Sequence, residues 1–571
     1  MKNTVAVGLL ACMVTQPVLA EIRVTEKAAP TQSFVGNYLA GRFAVQQRDK
    51  EAAALFLGAA LDQSPEDMSL LDQAFVAALG AGEFEVAVDR ARDLLKADAG
   101  NRLARIAVAA DALRARKYAQ VGKLMDGQFE NPLAKITGTF IQAWAEIGAG
   151  RNAEGIRIAA EMDDLNNGDI RRIKDYTIGM LAEAAGDNKQ ALAAYERAYD
   201  SPAINVRVVE ALARVHCKNG DFGKAREYAD AFEERAPGHS IIRRTYKAIA
   251  GKRPTPFTAK TPQAGAAETI YSIGAALGRD PGDEMAVMFY QMALLLDPKA
   301  PLPLIGLAGY YDAVDQYQSA ISVLDRMPVD SPYYVNSQVS KARVLDEVGQ
   351  TKDSLEILDS LAIASPTREV FVARASVLHD KKRYADAARA YSRAIATLDK
   401  VRNVDWYLFY YRGMVRERAK QWPLAEGDFK KALELNPEQP HVLNYLGYTW
   451  IDQGKNLDEA LKLVKRAVEL RPKDGDIVDS LGWAYYRLAR YEESVKTLER
   501  AIELRPEEPI IHDHLGDAYW QVGRRFEAYF QWQHAIDLKP EDADLLDNLR
   551  EKLNNGLQED NEQQAAAQVT E

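Results

Sequence analysis

The histidine, cysteine and carboxylate residues of the sequence lack the spacings that metal sites and catalytic sites need. His512 and His514 are close in sequence, but on a helix side chains two residues apart point about 200° from each other, so the two imidazoles cannot share one metal ion. Residues 220–224 are too short for a phosphate-binding loop, and no His-Glu-x-x-His, Cys-x-x-Cys or Gly-x-Ser-x-Gly motif occurs. We therefore predict no metal site, no cofactor and no catalytic residue, and the chain is not expected to be an enzyme.

Charge is the second feature that could recognise a partner. The formal net charge of -11 argues against nucleic acid, because phosphates require a basic surface. Residues 236–267 nevertheless contain no Asp or Glu. Their basic residues include Arg243, Arg244, Lys247, Lys252 and Arg253. Two interpretations stay open for this patch: the solvated surface of a linker, or a docking site for an acidic partner or anionic lipid head groups.

A repeat of about 34 residues is the strongest signal in the sequence. Near the C-terminus, a Leu-Gly pair recurs at Gly447, Gly482 and Gly516, and a proline closes each unit at 472, 506 and 540. Each unit holds two apolar segments with helical spacing. Gly and Ala stand where two helices must approach closely, and the proline cannot continue the preceding helix.

The same period extends upstream through most of the chain. The marker of each unit, which is a small residue in all units but one, falls at Gly41, Phe75, Ala109, Ala143, Gly179, Ala213, Gly274, Ala308, Ala342, Ala375 and Gly413. Together with the three C-terminal units this predicts an all-α array of about 14 helix-turn-helix repeats. The step from Ala213 to Gly274 is 61 residues, so the array is predicted to consist of two arms.

The predicted domain boundaries follow from this break. A degenerate N-terminal arm would cover residues 21–237, a basic connection rich in Pro and Gly 238–266, and a C-terminal arm 267–541. A final helix over 542–555 would cover the exposed end of the last repeat, and residues 556–571 are predicted to be a disordered acidic tail.

The C-terminal units resemble the tetratricopeptide repeat (TPR) family. In one unit the matching residues are Leu481, Gly482, Tyr485, Ser494, Leu498, Ala501 and Pro506. In the last unit they are Leu515, Gly516, Tyr519, Ala528, Trp532, Ala535 and Pro540. The resemblance implies a right-handed solenoid that binds other proteins.

In TPR arrays the first helix of each pair lines the concave face. We therefore expect this face to present rigid aromatic and hydrogen-bonding side chains suited to peptide capture. The candidate binding residues are Tyr407, Tyr410, Asn444, Tyr448, Asp479, Trp483, Tyr486, Asp513 and Trp520. TPR sites for chaperone tails clamp a terminal carboxylate with lysine and asparagine. Tyr410, Asn444, Asp479 and Asp513 occupy the equivalent places here, so such a carboxylate is not the expected ligand.

The first 20 residues have the pattern of an export signal. Lys2 precedes an apolar stretch from Val5 to Val14, and small residues end at Ala20, where cleavage is predicted. In a rival interpretation residues 9–12 resemble a lipobox, which would leave a membrane anchor at Cys12. The predicted location is the periplasm in soluble form, with a membrane-anchored lipoprotein as the alternative.

Residues 405–540 are similar to exported TPR proteins common in alphaproteobacteria, in particular through the segments 419–423, 443–448 and 478–486. They are also similar in layout to the TPR lipoprotein that partners a carboxyl-terminal processing protease. The resemblance implies a non-catalytic adaptor in the cell envelope that holds a processing protease and its substrates. The alternative function is a periplasmic holdase or an assembly factor for exported or outer-membrane proteins.

Overall fold

The structure is a computed structural model, which describes residues 29–125, 131–163, 167–200, 205–236, 238–278 and 282–557. The described residues form thirty α-helices and one short 3-10 helix, and they contain no β-strand. Thirteen pairs of consecutive helices pack against each other, six before α13 and seven after it, which confirms the predicted all-α array of helix-turn-helix repeats. The predicted signal at 1–20 and most of the predicted tail lie outside the described residues.

Two compact units divide the chain between Val344 and Leu345. The helices of the first unit are α1 (Phe34–Gln46), α2 (Lys50–Leu61), α3 (Met68–Ala81), α4 (Phe84–Ala97), α5 (Arg102–Arg114), α6 (Tyr118–Met125), α7 (Pro132–Gly148), α8 (Asn152–Ala160), α9 (Gly168–Ala184), α10 (Asn188–Tyr199), α11 (Val206–Lys218), α12 (Phe222–Arg235), α13 (Ser240–Ala250), α14 (Pro262–Leu277), α15 (Glu284–Leu296), α16 (Pro301–Ala313) and α17 (Tyr317–Asp325). Helix α18 (Tyr334–Glu347) contains the division.

The second unit alternates between the second helix of one repeat and the first helix of the next, beginning with the second helix α19. Its helices are α19 (Thr351–Ala364), α20 (Arg368–Asp380), α21 (Tyr384–Ala396), α22 (Trp406–Arg418), α23 (Trp422–Leu435), α24 (Pro440–Asp452), α25 (Leu457–Leu470), α26 (Gly475–Arg487), α27 (Tyr491–Leu504), α28 (Pro509–Gln521), α29 (Arg525–Asp537) and α30 (Ala543–Asn555). Helix α30 packs against α29 with Leu549 fully buried, in the position predicted for a final covering helix.

The repeating glycines lie where the two helices of a pair touch. A Cβ atom at Gly482 would stand 2.5 Å from the Leu498 side chain, and one at Gly516 would stand 2.4 Å from the Trp532 ring. The contacted residue lies 16 positions later in each case, on the second helix of the same pair. The small residue therefore allows the two helices of a pair to approach closely, as the sequence pattern predicts. One such residue occurs in each helix pair, so the spacing of these residues in the sequence equals the length of one structural repeat.

The pair formed by α14 and α15 departs from a simple stack. Both helices pack against first helices of the preceding repeats, α14 against α7 and α9, and α15 against α3 and α5. They belong to the first compact unit, whereas the sequence predicted that a second arm begins at residue 267. The composition of α15 supplies the physical reason. Its sequence EMAVMFYQMALLL has almost no polar face, and every residue from Ala286 to Leu296 is buried, so this helix requires apolar neighbours on all sides.

Among the described residues, no helix is long and apolar enough to cross a membrane.

Candidate functional site

The candidate binding residues share one side of the first helices in the second unit. Asn444 and Asp479 stand three residues before the small residue of their helix, and Tyr448 and Trp483 stand one residue after it. Positions separated by three or four residues lie on the same face of a helix. The nine candidate residues therefore lie on one side of helices α22, α24, α26 and α28, beside the line of small residues that contacts the second helices, with Asp479 and Asp513 buried.

Six of these residues form a surface that no helix farther along the chain covers. We name it the aromatic face, and it consists of Tyr407, Tyr410, Asn444, Tyr448, Trp483 and Tyr486, all half-buried. In the described part of the second unit, each first helix packs only against its own partner and its near neighbours in the stack. The aromatic face is thus held rigidly from behind and is partly exposed in front.

Trp483 is the centre of a stack of rings on this face. Its ring lies 4.7 Å from that of Tyr486 and 4.2 Å from that of His514, and both pairs are nearly parallel. The indole is therefore held between two neighbours, and its position is preorganised for contact with a partner.

His514 is fixed in turn by an acidic residue from the candidate set. Its Nδ1 lies 2.9 Å from Oδ1 of Asp479, and both side chains are buried. Burial alone would lower the pKa of His514, but the negative charges of Asp479, Asp513 and Asp517 outweigh burial and raise that pKa. Asp479 therefore lies behind the aromatic face as the acidic partner of His514, and the sequence prediction that it contacts a partner protein directly receives no support from this geometry.

Asp513 and Trp520 contact the last described helix and the residue that follows it. Nζ of Lys552 on α30 lies 2.7 Å from Oδ1 of Asp513 and 2.8 Å from Oδ2 of Asp517. The backbone at Gly556 approaches the Trp520 ring so closely that a Cβ atom there would stand 2.2 Å from it. These two candidate residues hold the covering helix in place, and they do not extend the aromatic face.

Asn444, Tyr410 and Tyr448 bring polar groups to the aromatic face. Asn444 donates from Nδ2 to Oγ of Ser480 at 3.1 Å, which fixes the amide. Burial and then the neighbouring Tyr411 raise the pKa of Tyr410 to about 12. Burial and then Asp479 and Asp452 also raise the pKa of Tyr448 above its ordinary value. The tyrosine hydroxyls are therefore neutral at physiological pH, and they can donate or accept a hydrogen bond from a bound chain.

The two histidines that sequence reasoning considered for a metal contact different partners. His512 lies 2.6 Å from Oε1 of Gln531 through Nδ1, whereas His514 faces Asp479. No group of three or more His, Cys, Asp or Glu side chains in the described ranges is arranged to hold a metal ion. The role of His514 as a ring in the stack was missed from the sequence, because its partners come from the preceding repeat.

In the first unit the equivalent side of the first helices is covered by α14 and α15. Nε1 of Trp144 donates to Oγ1 of Thr269 at 3.1 Å, and Nε2 of Gln263 donates to the carbonyl of Leu113 at 2.8 Å. Nε2 of Gln291 donates to the carbonyl of Gly80 at 2.9 Å. These contacts tie α14 and α15 to three successive first helices, so this side of the first unit is an interior.

A buried ion pair also joins α14 to the first helix α11 in this interior. Arg207 lies 2.7 Å from Oε1 of Glu268, and the hydroxyl of Tyr176 donates to the same oxygen at 2.7 Å. Burial acts to raise the pKa of Glu268, but Arg207 and the hydrogen bond from Tyr176 outweigh burial and lower that pKa. The carboxylate is therefore charged and fully partnered, which is how a buried ion pair avoids a large desolvation cost.

The predicted basic docking patch lies on α13 and the turn that follows. Lys247, Lys252 and Arg253 are exposed, whereas Arg243 and Arg244 are half-buried. Helix α13 packs against α11 and α12, and Oδ1 of Asp230 on α12 accepts a hydrogen bond from the hydroxyl of Tyr246 at 2.6 Å. Three of the five predicted residues thus face solvent, with an acidic residue close by.

Four segments of the chain match models of known repeat families. Residues 176–240, 339–400 and 410–475 match the model described as tetratricopeptide repeat, and residues 482–523 match one described as TPR repeat. The chain therefore carries tetratricopeptide repeats, as the C-terminal motifs predicted. Arrays of these repeats are non-catalytic scaffolds for protein–protein interaction, with each repeat stacked on its neighbours.

Curated relatives are similar over a limited stretch. The TPR repeat-containing protein PA4667 of Pseudomonas aeruginosa is 26% identical over 156 residues, which are 27% of this chain and 26% of that protein. Tetratricopeptide repeat protein 13 of Homo sapiens is 27% identical over 183 residues, which are 32% of this chain and 20% of that protein. The chain thus spans about a quarter of the length of these relatives.

Solved structures give a distant likeness. The APC/C hetero-tetramer Cut9-Hcn1 has 13% sequence identity and a TM-score of 0.38, covering 92% of this chain and 97% of that one. A tetratricopeptide repeat protein from Parabacteroides merdae has 15% identity and a TM-score of 0.37, covering 44% of this chain and 98% of that one.

Proposed function

We propose that this tetratricopeptide-repeat chain is a scaffold of the cell envelope that holds a segment of a partner protein along the aromatic face of its second unit. The observation that carries the proposal is the exposure of that face. Aromatic side chains on three successive first helices are backed by buried residues, and within the described part of the second unit no further layer of helices packs on them. Rigid aromatic residues at the centre of a surface are typical of sites that supply most of the binding free energy.

The chemistry of the face favours a segment with apolar side chains and free backbone amides. Tyr407, Tyr410, Tyr448 and Tyr486 offer rings for apolar contact, and the hydroxyls of Tyr410 and Tyr448 offer hydrogen bonds. A clamp of Lys and Asn for a terminal carboxylate is missing from these positions, so an internal segment of the partner fits better than its C-terminus. An extended or helical peptide could follow the face from α22 to α26.

The envelope location and the identity of the partner are further parts of the proposal. The signal-like residues 1–20 support export to the periplasm, and the lipobox-like residues 9–12 would support an anchor at Cys12 instead. The resemblance of residues 405–540 to the TPR partner of a processing protease supports an adaptor that brings substrates to such a protease. Linking two partners on one scaffold raises their effective concentration.

A pull-down from detergent-treated cell envelopes tests this proposal. The chain from Glu21 onward is the bait, and the retained proteins are identified by mass spectrometry. We expect a small set of envelope proteins, including a processing protease, to bind the wild type and to be lost with Tyr448→Ala/Tyr486→Ala. Phe526→Ala is the matched control, because Phe526 on α29 is 91% exposed and lies outside the aromatic face.

Two results would change the proposal. Retention of many unfolded outer-membrane proteins by the aromatic face would replace the adaptor with a holdase, the second candidate function. Equal retention by the wild type and by Tyr448→Ala/Tyr486→Ala would show that the aromatic face is not the binding surface.

A further inference from the structure

An arginine-lined cavity lies mainly on helix α21, a second helix of the second unit. Its volume is about 380 Å³. It is lined by Ala385, Ala388, Arg389, Ser392, Arg393, Arg416 and Gln421, and we name it the arginine cavity. Five of these residues belong to helix α21, whereas Arg416 comes from the end of α22 and Gln421 precedes α23. No acidic residue contributes to the lining.

The charges around this cavity do not balance. Asp386 pairs with Arg383 and Arg389, and Asp428 pairs with Arg412 and Arg416. Arg393 brings the number of guanidinium groups to five, against two carboxylates. The excess of positive charge stands out in a chain whose formal net charge is -11.

Arg393 is the arginine that remains available for a ligand. Among the described residues, no carboxylate lies within ion-pair or hydrogen-bond distance of its guanidinium. The group stands over the Phe371 ring at 4.3 Å from the centroid, which favours one orientation of the guanidinium plane. Arg393 thus keeps its hydrogen-bond donors free while its position is restricted.

The floor of the cavity is rigid. Nη1 of Arg416 lies 2.7 Å from Oδ2 of Asp428, and Nη2 of Arg412 lies 2.6 Å from Oδ1 of the same carboxylate. Asp428 is only 4% exposed, so this network is fixed to the core. Nη1 of Arg412 also donates to Oγ of Ser392 at 3.3 Å. The floor therefore carries positive charge that is only partly neutralised.

We propose that the arginine cavity binds a carboxylate side chain from an acidic segment of a partner protein. Arg389 and Arg393 stand one helical turn apart on α21, and a guanidinium group can bind a carboxylate through two parallel N–H groups. Ala385 and Ala388 provide apolar contact for the methylene groups of a Glu side chain. The cavity is open to the surface, which suits a side chain that projects from a larger partner.

This inference goes beyond the proposed function and does not depend on it. The aromatic face lies on first helices, whereas the arginine cavity lies mainly on a second helix. One partner could therefore occupy the aromatic face while an acidic segment of another occupies the cavity. The second unit alone would then offer the two separate surfaces that an adaptor needs.

A binding titration with the full chain tests the cavity. The probe is a short fluorescent peptide of alternating Glu and Ala, compared with a peptide that has Gln in place of Glu, at low and at physiological salt. We expect the Glu peptide to bind about tenfold more tightly than the Gln peptide, and salt to weaken its binding. If the negatively charged protein only repelled anions without a specific site, the Gln peptide would bind more tightly than the Glu peptide.

Variants locate the binding. Arg389→Gln/Arg393→Gln is expected to lower the affinity for the Glu peptide about tenfold, because it removes the two outer donors of the cavity. The matched control is Lys473→Gln/Lys496→Gln, which removes the same charge from exposed positions on other repeats. Tyr448→Ala/Tyr486→Ala is expected to leave binding of the Glu peptide unchanged, which separates this site from the proposed partner site.

Three results would overturn the proposal. The first is equal affinity of the wild type for the Glu and Gln peptides. The second is an equal loss of affinity in the lysine control, which would indicate general electrostatic attraction. The third is full displacement of the Glu peptide by inorganic phosphate at an equal concentration, which would identify a small-anion site. Arg393→Gln alone repeats the test if the double variant unfolds, since Arg393 has no ionic partner in the described chain.

Discussion

The first helices of the two units share one pattern, but the surfaces they form differ. In the first unit the helices α3, α5, α7 and α9 are covered by α14 and α15, and the side chains between them are buried. In the second unit the helices α22, α24 and α26 keep half-buried aromatic residues without such a cover. A repeat array therefore becomes either an interior or a binding surface according to what packs on its first helices. The repeat pattern alone does not determine which.

The difference assigns separate roles to the two regions. The covered side of the first unit stabilises the fold through a continuous apolar core and a buried ion pair. The aromatic face of the second unit leaves apolar area in contact with water, which favours binding of a partner that removes it. We therefore expect substitutions on the covered side to change stability and substitutions on the aromatic face to change binding.

The largest expected effect is the loss of Trp144. Its indole is fully buried between α7 and α14, where a Cβ atom on Gly265 would already lie 2.3 Å from it. Trp144→Ala should lower the free energy of unfolding by about 3–5 kcal/mol through the cavity that it leaves. Urea unfolding followed by circular dichroism measures this, with Phe526→Ala as the exposed control. A loss no greater than that of the control would mean that α14 does not pack on α7.

A smaller loss is expected when the buried ion pair is broken. Glu268→Gln leaves Arg207 with less counter-charge in a buried position, although Arg207 also pairs with Glu210. We expect the free energy of unfolding to fall by about 3 kcal/mol, because the desolvation penalty of a buried charge is no longer offset once the charge loses its partner. Differential scanning calorimetry of wild type and variant measures the change. Binding at the aromatic face should be unaffected, and a parallel loss of binding would contradict the separation of roles.

The smallest expected effect is a response to pH that differs between the units. Burial and then Asp513 raise the pKa of Asp517 to about 6, and the pKa of His514 is also raised. Both folded groups bind protons more tightly than in the unfolded chain, so their contribution to stability is present at low pH and lost as pH rises. The pKa of Glu268 is lowered, so its contribution is lost only as pH falls below the range of an ordinary Glu.

Hydrogen exchange at pH 7.5 and pH 5, corrected for the intrinsic exchange rate, measures this contrast. Protection of α28 and α30 should increase by about 1 kcal/mol at pH 5, whereas protection of α7 and α14 should stay constant. Weaker protection of α30 at pH 5 would show that the loss of negative charge facing Lys552 outweighs the proton uptake by Asp517 and His514.

Much of the fold could be predicted from the sequence because the repeat is a local signal. The 34-residue period placed one marker residue in each first helix, and even Phe75, the one marker that is not small, lies fully buried in α3. The inward packing of α14 and α15 could not be predicted in this way. Gly274 lies one 34-residue period before Ala308, as in an ordinary repeat. This spacing shows that the two helices pair, but it does not show against which other helices the pair packs. The apolar composition of α15 was the available signal.

The candidate site was predictable in position and less so in role. The spacing predicts Tyr448, Trp483 and Tyr486 on one helix face, and in the structure all three are half-buried, with Trp483 stacked on Tyr486. Lys552 on α30 contacts Asp513, 39 residues away in sequence, and Gly556 just after α30 contacts Trp520, and nothing in a repeat indicates such contacts. The repeat spacing therefore identifies the helix side that carries the candidate residues. Contacts between elements that are distant in sequence determine which of these residues can bind a partner.

Photo-crosslinking in intact cells is the most direct measurement of the central claim. A photoreactive phenylalanine analogue replaces Tyr448 on the aromatic face in one variant and Phe526 on α29 in another. We predict covalent adducts with one or a few partner proteins at position 448 and none at position 526. Adducts at 526 alone, or equal adducts at both positions, would contradict the claim that the aromatic face of the second unit is the binding surface.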